Sequence, residues 1–381
     1  MDGEFQLFMD TIKSGSAELF RKYFKEEYLE REVRDMKRPI HHACERGQTE
    51  IVKLLIDYNC DIEALDKWNQ RPIHYASQNG HKKTVKLLVS LHCDINARDE
   101  WDRVPIHRAC EHGHSGIVNL LIDHHCDIES RDKLGYRPLH YACKAGRAET
   151  AKLLIDHHCD IEARDKWDQR PIHCACEYER AGIVKLLIDH HCNIESRDKW
   201  NRRPIHLSCS GCCTETVKLL IDHKCDIEAR DWWDQRPIHL ACNAKRTETV
   251  KILVDHHCDI EECDQFGNSP LEIAMKTGNE GLIHILNGTR LLRACKNGNL
   301  QKVSSLLNGT VIEYSDEDKR RPIHWACESG KTKIVKLLIK TKCDLTARDK
   351  SNISPLDIAI RKSNKKLVRI LKAAAKEQKL V

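Results

Sequence analysis

Residues 170–202 read RPIHCACEYERAGIVKLLIDHHCNIESRDKWNR, and close variants of this 33-residue string recur through most of the chain. The period is clearest in the ten prolines. The first eight are spaced 33 residues apart, and so are the last two: Pro39, Pro72, Pro105, Pro138, Pro171, Pro204, Pro237 and Pro270, then Pro322 and Pro355. A fixed period of about 20 to 50 residues is typical of proteins that stack one small unit. The sequence therefore predicts a repeat protein.

The local signals within one period predict two short helices and a projecting turn. Pro171 suits the first position of a helix, where its missing N–H would have no partner, and this helix should run to about residue 178. Apolar residues at helical spacing predict a second helix at about 181–189. His191 then stands where that helix must end, and Asn201 is typical of a turn position with positive φ.

This unit resembles the ankyrin repeat, with Arg-Pro-Ile-His-x-Ala in place of that family's usual Thr-Pro-Leu-His-x-Ala. The resemblance covers essentially the entire chain. It implies an all-α, ankyrin-type helix-turn-helix solenoid with short β-hairpin projections. A single unit of this kind cannot bury its apolar face alone, so neighbouring units must supply the core.

The order of the repeats predicts three segments. Residues 1–33 form a divergent N-terminal capping repeat. Residues 34–288 form the main stack, with seven full repeats and a truncated eighth. Residues 289–381 form a second short stack that ends in a capping helix. The division is placed there because residues 291–298 match a first helix without its proline, and they arrive too early to leave room for a hairpin.

Composition and charge narrow the class of protein. The chain has 381 residues, of which 40% are hydrophobic and 32% charged, and its net charge is only +5. The apolar runs are far shorter than the roughly 20 residues that cross a bilayer. We therefore expect a protein of the cytoplasm, with the nucleus as the other compartment, and neither a nucleic acid nor a membrane is favoured as a partner.

Cysteine and histidine recur with the same period. Sixteen of the twenty cysteines fall in two columns: Cys44, Cys110, Cys143, Cys176, Cys209, Cys242, Cys295 and Cys327, then Cys60, Cys93, Cys126, Cys159, Cys192, Cys225, Cys258 and Cys343. Free cysteine packs as a small buried hydrophobe, and in this family the motif histidine ties the turn to the helix. The sequence therefore predicts no metal site and no cofactor. A metal- or redox-responsive protein that uses the His and Cys columns remains the alternative.

No catalytic motif interrupts the repeats. The chain lacks a P-loop, a Gly-x-Gly-x-x-Gly after a strand and a His-Glu-x-x-His sequence. We therefore expect no enzyme and no small-molecule substrate. The resemblance implies a protein-binding adaptor, scaffold or inhibitor that uses its hairpin tips and concave face.

Two sets of residues near the proline suggest where a partner would dock. Five repeats have tryptophan four residues before the proline: Trp68, Trp101, Trp167, Trp200 and Trp233. Two other repeats have Leu134 and Phe266 at this position. Arginine, in place of the family's threonine cap, directly precedes the proline in Arg71, Arg137, Arg170, Arg203 and Arg236. Both residue types are enriched at binding hot spots, so this stripe is a candidate docking edge. Alternatively, each arginine pairs with a turn aspartate or a preceding glutamate, and each tryptophan lies on the next hairpin.

A second candidate surface lies three residues after the proline, on the family's concave face. The side chain there varies among otherwise similar repeats, as in Tyr75, Arg108, Tyr141 and Trp325. Such variation would suit a specific groove, and neutral drift would produce the same pattern. The basic segment from residue 361 onward leaves association with an anionic membrane or a nucleic acid as a further alternative.

Overall fold

The computed structural model describes residues 3–307 and 311–378. It divides into two compact units, Met1–Ser208 and Cys209–Val381. The predicted three-segment division, whose terminal residues 1, 2 and 379–381 lie outside the described part, stays a prediction. Within the described residues, no helix is both long and apolar enough to cross a membrane.

The first unit consists of paired helices that follow the 33-residue period. Its helices are α1 (Gly3–Ser14), α2 (Ala17–Tyr23), α3 (Pro39–Glu45), α4 (Thr49–Asp57), α5 (Pro72–Gln78), α6 (Lys82–Ser90), α7 (Pro105–His112), α8 (Ser115–Asp123), α9 (Pro138–Ala145), α10 (Ala148–Asp156), α11 (Pro171–Glu177) and α12 (Ala181–Asp189). Two 3₁₀ turns, Glu26–Tyr28 and Arg34–Met36, connect α2 to α3. The predicted helices at 171–178 and 181–189 are confirmed to within one residue.

The second unit repeats the same pairs with one exception. After α13 (Pro204–Ser210), which contains the division between the units, its helices are α14 (Thr214–Asp222), α15 (Pro237–Asn243), α16 (Thr247–Asp255), α17 (Pro270–Lys276), α18 (Glu280–Asn297), α19 (Leu300–Leu306), α20 (Pro322–Glu328), α21 (Thr332–Lys340), α22 (Pro355–Arg361) and α23 (Lys365–Gln378). The exception is α18, whose 18 residues are twice the nine of α14, α16 or α21, because one projecting turn is missing from the sequence.

The projections are turns and not β-hairpins, since no strand occurs among the described residues. In one tip, the Asp66 side chain accepts hydrogen bonds from the backbone N–H groups of Trp68 and Gln70, at 2.9 and 2.7 Å. Two backbone bonds close the turn, from the Asp66 N–H to the Gln70 carbonyl and from the Asn69 N–H to the Asp66 carbonyl. The aspartate occupies the donors that a strand ladder would need, so the β part of the fold prediction was wrong.

Positive φ angles occur where the sequence predicts them. His191 and Asn201 both have a φ of 61°. Histidine ends the second helix in the same way at His125, His158 and His257. These residues visit the left-handed region more readily than most, so they can end a helix without glycine.

Where the motif histidine is present, it fixes the start of the first helix and joins it to the next repeat. In α5, His74 Nδ1 accepts from the Arg71 N–H at 3.1 Å. Its Nε2 lies 3.0 Å from the Ala97 carbonyl and 3.2 Å from the Arg103 carbonyl in the following turn. Because Nδ1 accepts, Nε2 must carry the proton and donate. The imidazole is therefore neutral, and it replaces the missing threonine cap.

Two repeats use the more usual cap. Ser269 and Ser354 precede Pro270 and Pro355, and each accepts a hydrogen bond from the N–H three residues later. The residue at that third position is then an acid, Glu272 or Asp357. The N–H groups at a helix start have no partners within the helix, and this chain satisfies them in two ways, with serine and an acid or with the motif histidine.

Acid should destabilise the protein between about pH 6.5 and pH 4. Burial lowers the pKa of four motif histidines to about 4: His74, His107, His140 and His173. Below pH 6.5 the unfolded chain binds protons that these folded histidines refuse, so stability is full above that pH and falls as the pH drops. Asp165, with a pKa raised to about 6 by burial, opposes this effect as a single group. The urea midpoint at pH 5 should lie clearly below that at pH 7.

A matched pair of variants tests the origin of this pH dependence. His173→Gln should lower the urea midpoint at both pH values and reduce the difference between them. The same change at the exposed His157 should alter neither quantity. Equal midpoints at pH 5 and pH 7 for the unaltered protein would contradict the assignment of neutral buried histidines.

Candidate functional site

The tips before Pro72 to Pro270 carry partly exposed apolar side chains, one from each of these seven successive repeats. In the first unit, Trp101 and Leu134 are 41% and 44% exposed, and Trp68, Trp167 and Trp200 are half-buried. In the second unit, Trp233 is 38% exposed and Phe266 is 65% exposed. These seven residues are called the tip row below. Exposed aromatic side chains in contiguous repeats are a common feature of binding surfaces.

Backbone hydrogen bonds hold neighbouring tips in register. The N–H of Glu100 donates to the Trp68 carbonyl at 2.8 Å, and the N–H of Lys133 donates to the Trp101 carbonyl at 2.9 Å. In the second unit, the Gln265 N–H donates to the Trp233 carbonyl at 3.0 Å. The tip row is therefore positioned by the backbone and does not depend on loose side-chain packing.

Neighbouring side chains cover one face of several tip residues. The guanidinium of Arg103 lies 4.5 Å from the ring centre of Trp101, and Arg202 lies 4.7 Å from that of Trp200. The ring of Trp167 packs at 6.0 Å from the ring of Tyr136 in the preceding repeat. Such contacts restrict the rings without burying them, which lowers the entropy that binding would cost.

The arginines before the proline are engaged inside the stack. Arg71 pairs with Glu63 of the preceding repeat at 2.6 Å and with Asp94 of its own repeat at 3.0 Å. Glu63 also accepts from the Asp94 N–H at 2.7 Å. The same link to the glutamate eight residues earlier recurs at Arg137, Arg170, Arg203, Arg236 and Arg321. The arginines therefore connect repeats, which leaves mainly the apolar side chains of the proposed stripe available to a partner.

The residues three after the proline point inward. Tyr75 and Tyr141 are buried and donate from their hydroxyls to the turn aspartates Asp66 and Asp132, at 2.5 and 2.7 Å. Buried Arg108 donates to Asp99 at 3.1 Å in the same way. Half-buried Trp325 donates from its indole N–H to Asp316 at 2.8 Å. The buried residues Tyr75, Arg108 and Tyr141 therefore support the tips and offer a partner little surface, whereas Trp325 stays partly exposed.

The repeat that begins with α11 lacks this support. Cys174 stands at the column position in α11 and supplies no donor to Asp165. Asp165 Oδ2 is buried and has no hydrogen-bond partner among the described residues. Burial raises the pKa of Asp165 to about 6. The missing donor therefore leaves a buried carboxylate that is costly to ionise.

Sequence reasoning missed one exposed aromatic residue. Trp232 is 66% exposed beside Trp233. At its position, five before the proline, the other repeats have charged or amide side chains such as Lys199 and Gln265. This departure from the repeat was a readable signal, and it extends the apolar surface of that tip.

The cysteine columns are packed, as predicted. All sixteen column cysteines are buried, and Cys174 is buried as well. Burial raises the pKa of many of these thiols, for example to about 12 in Cys60 and Cys93, which disfavours the reactive thiolate. Among residues 3–307 and 311–378, no three His, Cys, Asp or Glu side chains lie together as a metal site would require.

Two family models of ankyrin repeats match this chain. A family model described as ankyrin repeats (3 copies) matches residues 8–99, 91–165, 157–231 and 291–379, and a second, ankyrin repeats (many copies), matches residues 220–274. A search of curated proteins gives no match. Among solved structures, the human ASB11 ankyrin repeat domain is similar with a TM-score of 0.54 and 22% identity, over 58% of this chain and 99% of that domain. At that identity the likeness extends to the fold alone.

Removing the charge of Asp165 should stabilise the protein at pH 7.5. Its pKa is raised, so ionisation above pH 6 costs the folded state free energy that the unfolded chain does not lose. Asp165→Asn should therefore raise the free energy of unfolding by on the order of 1 kcal/mol. Asp132→Asn should lower it, because the Tyr141 hydroxyl loses an ionised acceptor. Urea unfolding of both variants at pH 7.5 measures the contrast, and the same sign for both would contradict this account.

Few thiols should react in the folded protein. Cys212 and Cys263 are exposed and Cys213 is half-buried, whereas the rest are buried. A thiol titration with Ellman's reagent should therefore show a fast phase for about these three residues and a slow phase for the others until denaturant is added. The triple variant Cys212→Ser, Cys213→Ser, Cys263→Ser should lose the fast phase. Rapid reaction of ten or more thiols in the native protein would favour the redox alternative.

Proposed function

The chain belongs to the ankyrin repeat family, and we propose that it is a non-enzymatic, protein-binding adaptor, scaffold or inhibitor that docks its partner along the tip row. The observation that carries the proposal is the row itself. Seven successive tips carry an apolar or aromatic side chain at the same position, whereas three other repeats place Asp35, Asp318 and Ser351 there. Ankyrin repeats generally mediate protein–protein interactions, and that general role is the premise here.

The division of labour around the proline supports this location. Arg71 pairs with Glu63, and the Tyr75 hydroxyl donates to Asp66. The polar groups at these two positions are therefore already bonded within the protein. At Leu134 and Phe266 the tip side chain is apolar and is 44% and 65% exposed. Exposed apolar area that contributes nothing to the fold is the kind that association can bury.

A partner for this surface would be a folded protein or an extended segment that reaches several tips. Neighbouring tips are joined by single backbone bonds, so their side chains repeat at a fixed interval within each unit. A small molecule could contact only one or two of them, whereas a protein surface could contact the row. We place the complex in the cytoplasm, with the nucleus as the other compartment.

The C-terminal helix is the basis of the other candidate association. In α23, Leu367, Leu371 and Ala374 are buried, so the apolar face already packs within the protein. The basic residues that remain outside could contact an anionic surface only through charge. An interaction of that kind would weaken strongly with salt, and the tip-row interaction would not.

Loss of tip side chains should abolish capture of the partner without unfolding the protein. We expect the variant Trp101→Ala, Leu134→Ala, Trp233→Ala to keep its helical circular dichroism and to lose the protein that the unaltered chain captures from a native lysate. Hot-spot aromatic residues cost about 2 kcal/mol or more each when truncated, so the loss should exceed tenfold.

A matched control removes similar exposed apolar area away from the tips. Tyr58, Leu91 and Ile360 are 41%, 39% and 53% exposed, and the triple alanine variant at these positions should capture as well as the unaltered chain. Equal capture by the tip variant and the unaltered chain would place the interface elsewhere on the protein.

A further inference from the structure

The second unit contains a cleft at the point where a projecting turn is missing. Helix α18 runs from Glu280 to Asn297 without a break, so the second helix of one repeat continues directly into the first helix of the next. A cavity of about 400 Å³ lies between its C-terminal half, the end of α16 and the turn before α20. This volume is at the small end of ligand pockets and suits one or two amino-acid side chains.

The walls of the cleft are apolar and rigidly held. They include Val254, Leu292, Tyr314 and Trp325. The ring of Tyr314 packs so closely on Gly288 that a β-carbon there would lie 2.2 Å from it, so only glycine allows this arrangement. Trp325 is fixed by its indole hydrogen bond to Asp316 at 2.8 Å. The walls therefore form a pre-organised slot.

The cleft carries an excess of negative charge. Its lining includes the carboxylates Asp255, Asp316, Glu317 and Asp318 against two cations, Arg293 and Lys296. Asp316 is satisfied by the Trp325 indole and by the N–H groups of its own turn. No ion pair or side-chain hydrogen bond from a described residue reaches the carboxylates of the other three acids.

The two resident cations are occupied with other contacts. Arg293 donates to the Cys258 carbonyl at 2.8 Å. The Lys296 ammonium lies 4.7 Å from the ring centre of Trp325. Burial raises the pKa of Asp255, and the nearby Glu317 carboxylate adds to that effect, as expected where negative charge is not balanced.

The turn before α20 also contains a backbone N–H, that of Glu317, with no backbone acceptor among the described residues. In seven other repeats the N–H five residues before the proline donates to the preceding tip, as Gln265 does to Trp233 and Lys350 does to Asp318. The equivalent donor here is Glu317, and no described residue supplies a carbonyl to it. A peptide lying in the slot could offer one.

We propose that this cleft binds an arginine side chain from a basic segment of a partner protein. The planar guanidinium can bridge two carboxylates and pack flat against an aromatic wall, and it is more weakly hydrated than an ammonium group. Glu317 and Asp318 at the exposed rim and Asp255 deeper in the slot supply the acceptors. This site is separate from the tip row and stands or fails independently of it.

The test uses the full chain and two fluorescein-labelled peptides, Ala-Arg-Arg-Ala and Ala-Gln-Gln-Ala, followed by fluorescence anisotropy at low ionic strength. The arginine peptide should bind and the glutamine peptide should bind at least about tenfold more weakly. The double variant Glu317→Gln, Asp318→Asn should reduce arginine-peptide binding at least about tenfold.

Two controls separate the cleft from general charge. Glu248→Gln with Glu280→Gln removes the same charge from exposed positions of the same unit outside the cleft, and it should leave binding unchanged. The tip variant Trp101→Ala, Leu134→Ala, Trp233→Ala should also bind the peptide normally. Equal binding of the two peptides, or equal loss in the cleft and control charge variants, would overturn the proposal.

Discussion

The rest of the architecture depends on the hydrogen bonds of a neutral, buried histidine. It accepts the N–H that opens its own helix and donates to the carbonyls of the next turn, as His107 does to Ser130 and Tyr136 at 3.0 and 3.2 Å. One side chain thereby satisfies a helix start and couples two repeats. Because histidine does this work, the residue before the proline need not be a capping threonine, and it becomes an arginine that links repeats by charge. The turns are then held from both sides, and the tip residues keep part of their apolar surface exposed.

Much of this organisation follows from the repeat itself. The period, the helix bounds near residues 171–189, the positive φ of His191 and Asn201 and the burial of the cysteine columns were all predicted from one unit. They depend on local conformational preferences and on packing between similar neighbouring repeats. The same signals recur in each repeat, so the sequence alone is enough to predict them. The β-hairpin projections were predicted wrongly, because the side chain of Asp66 and its counterparts competes with strand pairing and this competition depends on turn geometry.

The direction of particular side chains could not be obtained in the same way. Arginine before the proline could have faced a partner or the preceding glutamate, and the sequence allows both until the spacing between Arg71 and Glu63 is known in three dimensions. Likewise, Tyr75 and Tyr141 vary like groove residues, yet they turn inward to the aspartate of the preceding turn. The cleft beside α18 was invisible for a different reason. The sequence shows that a turn is missing, but only the continuous helix shows that the missing turn leaves a slot lined with acids.

The central claim is that the fold uses its polar groups internally and presents the tip row to a partner. Hydrogen–deuterium exchange of the full chain, with and without the protein that it captures, tests this claim most directly. The account predicts that binding slows exchange in the tip segments 98–103, 131–136 and 231–236 and leaves exchange in helices α8 and α10 unchanged. Slower exchange confined to α8 and α10, with unchanged tips, would contradict it.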